Sequence, residues 1–152
     1  MTENRDVDRA KRLLARSTDE HSELLGAIRK VESMIEVQGA KPALGDVQRR
    51  VHELNEGFKA HVGREEAGDM YGWLPKRFAE LKPMADRLLN EHERITAELS
   101  AVTAEVEKSV SIELRSELSA RLRAALAALR RHEAAESQLL HAAIAQIDSD
   151  RG

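Results

Sequence analysis

Cysteine is absent from all 152 residues. That excludes disulfides, thiolate metal sites and cysteine nucleophiles, and it fits a reducing compartment. Aromatic residues are only 3% of the chain, while Ala, Leu, Glu and Arg abound, a composition that favours helices over strands. The formal net charge is −3, which offers no electrostatic case for nucleic acid or an anionic membrane surface as partner. No run of 18 apolar residues occurs, and the opening stretch MTENRDVDRAKRLLARS has no apolar core of the signal-peptide type. A soluble, cytoplasmic protein with one apolar core is the expectation.

Four long segments carry helical periodicity. The first is expected to begin near Ser17, whose hydroxyl has capping-box spacing to Glu20, and it carries Leu24, Leu25, Ile28, Val31 and Ile35. Gly39 to Pro42 reads as a loop. The second segment starts near Asp46, carries Val47, Val51, Leu54 and Phe58, and should run to about Asp69. The stretch from Met70 to Lys82, with Tyr71 and Trp73, reads as a structured connection. The third segment starts near Pro83, a residue suited to a first helical turn, and carries Leu88, Ile95, Leu99, Val102 and Val106. Ser109 or Ser111 breaks that pattern. The fourth carries Leu114, Leu118, Leu122, Ala125, Leu129, Leu139 and Ala143 and ends near Asp148. Short connections between four amphipathic helices predict an all-α, antiparallel up-down-up-down four-helix bundle over residues 17–152. Residues 1–16 read as an N-terminal extension with room for a short helix.

Within this frame one spaced pattern occurs twice. His21 is followed 40 positions later by His61-Val-Gly-Arg-Glu65. His92 is followed 40 positions later by His132-Glu-Ala-Ala-Glu136, and each element of the second copy lies 71 residues after its counterpart. The apolar stripes run by threes and fours straight through these positions, so all six residues take core-facing places. In an up-down-up-down bundle the starts of the first and third helices meet the ends of the second and fourth. The six side chains are therefore expected in one layer, at one pole.

Burying four imidazoles and two carboxylates together costs several kcal/mol without a partner, on the order of magnitude usual for buried ionisable groups. A metal removes that cost. Nitrogen and oxygen donors without sulfur suit iron or manganese ahead of zinc. Two six-coordinate ions offer twelve positions, of which four imidazoles and two bridging carboxylates fill eight. An oxo or hydroxo bridge takes two more and leaves room for a small exogenous ligand. His52 and His141 fall on the opposite helix face from the ligand histidines, and Glu66 is turned about 140° from His61. Glu20 and Glu93 flank ligand histidines; solvated positions are expected of both, the alternative being contacts that orient the imidazoles. Gly57, Gly63 and Gly68 are candidates for close helix approach near the metals.

The H…HxxxE…H…HxxxE arrangement resembles the hemerythrin-like, or HHE cation-binding, family. Phe58-Lys-Ala-His-Val-Gly-Arg-Glu-Glu66 is similar to its second-helix signature, Glu91-His92-Glu93 to the start of its third helix, and residues 132–140 to its fourth. The resemblance spans residues 17–145. It implies a non-haem diiron centre held by His21, His61, His92 and His132, with Glu65 and Glu136 bridging the ions. Two departures set the chain apart from the classical oxygen carriers. Those have a further histidine where this chain has Thr96, and a fourth-helix carboxylate where it has Ser137.

The resemblance and the open coordination positions point to a protein that binds or reacts with dioxygen, peroxide or nitric oxide. The alternative is an iron-binding sensor, storage or iron-donor module without turnover. Tyr71 and Trp73, in the connection beside the site, are expected to serve as packing, the alternative being to gate access or to contact the ligands from behind. No residue of the sequence identifies a protein partner.

Overall fold

The computed structural model describes residues 2–36, 43–110 and 116–151. Four long helices dominate: α1 (Thr2–Glu36), α2 (Leu44–Ala67), α5 (Lys82–Lys108) and α6 (Ser116–Arg151). Between α2 and α5 run two single-turn helices, α3 (Asp69–Gly72) and α4 (Leu74–Arg77), and a 3₁₀ turn at Ala79–Leu81. Among the described residues there is no strand, so the chain is all-α. The segment around Gly39–Pro42 and Ser111 lie outside the described residues.

The four long helices pack as a ring, α1 against α2, α2 against α5, α5 against α6 and α6 back against α1. Each neighbouring pair is antiparallel, as cross-helix contacts show. Glu20 meets His61 while Arg9 meets Asp69, just past the end of α2. Gln48 meets Val106 while Glu66 meets His92. Glu98 meets Arg121 while Glu91 meets His132. Glu32 meets Arg130 while His21 meets Ser137. In every pair, going forward on one helix means going backward on the next.

The first helix departs from the expected start near Ser17. It runs unbroken from Thr2, and Ser17 is buried within it. The physical reason is the continuity of the apolar stripe. Val7, Ala10 and Leu13 extend the spacing of Leu24, Ile28 and Val31 backwards, and burying that face outweighs a local cap worth about 1 kcal/mol. The second helix stops two residues short of the expected Asp69. Gly68 is extended, and its N–H donates to the Glu65 carbonyl. A Cβ there would lie 3.0 Å from the Arg64 carbonyl oxygen, so glycine is what lets the chain turn this tightly.

These extensions change where the polar layer sits. One apolar cluster, with Ile28, Val51, Phe58, Val102 and Leu129, fills the half of the bundle nearest the α1–α2 and α5–α6 turns. A second, with Val7, Ala10, Leu74, Phe78, Leu88, Leu140 and Ile147, is built by the start of α1, the connection and the end of α6. The six residues of the repeated pattern therefore lie between two apolar plugs, in the interior of the bundle and not at an open pole. Among the described residues no helix is long and apolar enough to cross a membrane.

Candidate metal centre

His61 and Glu65 occupy consecutive turns of α2. His92 leads into the stripe of α5, and His132 and Glu136 lie on α6. All five are buried to within 7% of full burial. The Nε2 atom of His61 is 3.0 Å from Glu65 Oε1, and His92 Nε2 is 3.4 Å from Glu136 Oε2. His132 Nε2 is 3.4 Å from Glu136 Oε1. Three imidazoles thus aim the same ring nitrogen at the same pair of carboxylates.

A third carboxylate, which the sequence reading did not select, completes the layer. Glu133 is 1% exposed, and its Oε1 stands 3.2 Å from His61 Nε2. Donor atoms within 4.8 Å of one another form two sets, Glu65–His92–His132–Glu136 and His61–Glu65–Glu133–Glu136. Glu65 and Glu136 belong to both, the placement that a pair of bridging carboxylates requires. His21 belongs to neither. Its Nδ1 faces Ser137 Oγ at 3.4 Å and Glu133 Oε2 at 3.8 Å, and its side chain remains 16% exposed. The fourth histidine of the pattern therefore stands at the rim of the layer, on the Glu133 side.

The opposite nitrogen of each inward imidazole is held from outside. Glu20 accepts from His61 Nδ1 at 3.1 Å, Glu91 from His132 Nδ1 at 3.0 Å, and Glu66 from His92 Nδ1 at 3.3 Å. Such contacts fix the tautomer, so Nε2 presents its lone pair to the interior in the metal-binding state. Glu20, expected to be solvated, is instead only 20% exposed and also accepts from Arg64 Nε at 2.7 Å. Glu93 is exposed, as are His52 and His141. Glu66 is exposed at its carboxylate and faces the far side of His92 rather than the interior.

Tyr71 and Trp73 take different roles. The Tyr71 hydroxyl donates to Glu136 Oε2 at 2.6 Å, and its ring meets His92 edge-on. Trp73 packs edge-on against Phe78 beneath the Arg9 guanidinium, as plain packing would have it.

Whether these residues suit a cation can be judged from what they leave unsatisfied. His61 Nε2, His132 Nε2, both oxygens of Glu65 and of Glu133, and Glu136 Oε1 are all buried and have no aligned hydrogen-bond partner. They are close enough to pair, yet the carboxylates lie off the N–H directions. Each such atom costs about 1–3 kcal/mol, and a folded domain does not concentrate seven of them in one layer without compensation. Positive charge at the centre of the layer would satisfy them together.

Without that charge, protons must do the work. Burial opposes a charge on His61, but Glu133 and Glu65 more than offset it and push its pKa up to about 11. Burial likewise opposes a charge on His132, and Glu136 and Glu91 outweigh it to give about 9. Burial pushes Glu65 up to about 9 against the pull of His61, with repulsion from Glu136 adding to the rise. Glu136, despite its burial, is held well below the usual carboxylate range by His132 and His92. The Tyr71 hydroxyl is raised by burial and by the neighbouring Glu136. It stays a proton donor at any ordinary pH.

The hemerythrin HHE cation-binding domain matches residues 12–144. The chain belongs to the hemerythrin HHE cation-binding family. No curated protein and no solved structure matches it. The match begins inside the long first helix, before Ser17, in line with the unbroken α1. Membership and the buried His/Glu cluster agree on a metal-binding helical bundle.

Proposed function

We propose that this hemerythrin-family chain holds a non-haem diiron centre and that the centre binds or reacts with a small oxidant: dioxygen, peroxide or nitric oxide. The observation that carries the reading is the convergence of seven buried, unaligned donor atoms in two sets that share Glu65 and Glu136. A mixed imidazole and carboxylate set without sulfur favours iron or manganese over zinc. His61, Glu65, Glu133, Glu136, His92 and His132 would hold the two ions, and His21 would join them on the Glu133 side. When bound, the iron pair, with its oxo or hydroxo bridge, supplies redox equivalents and Lewis acidity.

The protein's own part is orientation and exclusion. Glu20, Glu66 and Glu91 fix the imidazoles from behind. The apolar plugs on either side keep bulk water from the layer. Tyr71 aims a hydroxyl proton at Glu136 Oε2 and would be the nearest protein donor to a ligand arriving beside that carboxylate. Glu133 also alters the count of open positions. A third carboxylate leaves fewer free places than four histidines and two glutamates alone, which favours a small exogenous ligand over a larger substrate.

The test is metal analysis of the purified protein together with its ultraviolet–visible spectrum. Two irons per chain, and an oxo-to-iron absorption band on adding peroxide or dioxygen to the reduced protein, are the expected results. A chain without iron, or a silent spectrum, would overturn the reading. Rapid iron loss to an apo-acceptor with no oxidant consumed would favour the storage or donor function instead.

A further inference from the structure

Two openings flank the seam between α1 and α2, and they differ in charge. The larger, a cleft of about 310 Å³, lies between the middle of α1 and the end of α2. Ser17 and the metal-layer residue Glu65 line it, and Arg16, Arg64 and Ala67 are exposed around it. The smaller, about 190 Å³, reaches His61 between Glu20, Glu23 and Glu53. Glu20 and Arg64 line both, and their ion pair at 2.7 Å stands between the two openings.

Apart from Glu65, the carboxylates of the larger cleft are already committed. Asp69 is held by both Arg9 Nε and Arg9 Nη2, at 2.8 and 2.7 Å. Glu20 is held by Arg64 and His61. Arg16 makes no direct ion pair among the described residues, so the cleft presents free positive charge at its mouth. The smaller opening is lined by Glu23 and by Glu53, the latter held by Arg49 and Arg50 at 3.9 and 3.5 Å. Its one lining arginine, Arg64, is paired with Glu20, so this opening offers no unpaired positive charge. A mouth of one sign above a low-dielectric floor concentrates ligands of the opposite sign.

The floor gives the cleft its meaning. Both Glu65 oxygens are buried and unpartnered, and Glu65 belongs to both donor sets.

We propose that small anions reach the metal centre through the cleft between α1 and the end of α2, entering past Arg16 and Arg64 and arriving beside Glu65. The proposal rests on the diiron reading and adds a route for anionic ligands, beside the uncharged oxidants of that reading. Arg16 is the steering residue here, not a catalytic one, because the Arg64 charge is held by Glu20.

Azide is a suitable probe, because its binding to an iron-loaded protein can be followed by absorbance in rapid mixing. Ala67→Trp places an indole in the cleft from an exposed helical position. It should slow azide binding at least tenfold while leaving iron content and final absorbance unchanged. Arg16→Glu should slow it several-fold at low salt, with the difference shrinking as salt screens the mouth. Gly57→Trp, which fills the smaller opening where a Cβ meets only open space, should leave the rate as it was. Unchanged rates in both Ala67→Trp and Arg16→Glu, or slowing by Gly57→Trp alone, overturn the route while leaving the diiron reading intact. A wild-type chain that binds no iron overturns both.

Discussion

The Tyr71 hydroxyl donates to Glu136 Oε2 across 65 residues of sequence, at 2.6 Å. It joins the short α3 turn to the centre of α6 and, with the edge-on contact of the same ring to His92, ties the connection to the polar layer. A hydrogen bond from a neutral donor to a buried carboxylate is worth about 1.5–3 kcal/mol. Tyr71→Phe keeps the ring against His92 and removes only the donor. Metal-free protein carrying this change should lose about that much stability, read from urea unfolding. The loaded protein should lose less, because bound cations satisfy the Glu136 oxygen that the hydroxyl has left. Equal losses in both states would mean that Glu136 does not face the metals.

Glu133 separates a metal centre of six residues from the larger one the structure brings together. It lies 3.2 Å from His61 Nε2, and neither of its oxygens has an aligned partner. Glu133→Gln keeps the shape and removes the charge. Affinity for the second metal equivalent should fall at least about tenfold, the scale seen when groups supporting a metal site are altered. Glu93→Gln, on the exposed side of α5 next to His92, should change nothing. Equilibrium titration with Mn(II), read by bound metal per chain, distinguishes the two variants. Equal affinities would remove Glu133 from the site.

Proton release gives an independent reading of the same layer. His61 and His132, with pKa values near 11 and 9, are charged at neutral pH in the metal-free fold, and Glu65, near 9, is neutral. All three pKa values lie above those of the unfolded chain. The stability these groups lend the metal-free fold is therefore complete at low pH, and it drains away as pH rises from about 5 towards about 11. Glu136 works in the other direction, its contribution being lost as pH falls below the ordinary carboxylate range. Metal must displace the protons on His61, His132 and Glu65, so its uptake should release protons and tighten with pH. Calorimetry of Mn(II) binding in buffers of different ionisation enthalpy should show that release at pH 7. The melting temperatures of loaded and metal-free protein should draw apart between about pH 6 and pH 8.5. A gap that stays constant over that range would mean the cations bind elsewhere.

What the sequence made legible, and what it did not, follows from the duplication. Everything that repeats at the 71-residue offset could be read: the His61–Glu65 and His132–Glu136 pairs, and the histidines that lead them. One further repeat was available and went unread. Glu20 holds His61 and Glu91 holds His132, each across 41 residues, so the acid immediately before each leading histidine recurs at the same offset. The features that escaped are those that break the repeat. Glu133 corresponds to Val62, so no second copy flagged it, and its burial depends on how α6 packs. Glu66 supports His92, but its counterpart is Ser137, which gives His21 a weaker contact at 3.4 Å. Tyr71 has no aromatic counterpart, and its role depends on the fold of the connection. Helix ends were misread where tertiary packing overrode a local signal, as at Ser17. The four-helix order was secure because it needed only the period of the apolar stripes and the shortness of the turns.

The glycines of α2 offer a last measurable consequence. Gly63 sits between His61 and Glu65, where close approach of another helix to the metals was expected. The structure gives no such reason, since a Cβ on Gly63 would meet nothing within 4 Å, and the position is exposed. It lies in mid-helix, with none of the tight contact that requires glycine at Gly68. Glycine in a helix interior costs up to about 1 kcal/mol relative to alanine, through the backbone entropy lost on folding. Gly63→Ala should therefore stabilise the metal-free protein by about that amount, raising its melting temperature by about 2–4 °C for a chain of this size. Bound metal per chain should not change, because the added methyl points away from the polar layer. A loss of stability or of metal would mean that α2 carries a close contact at this turn after all.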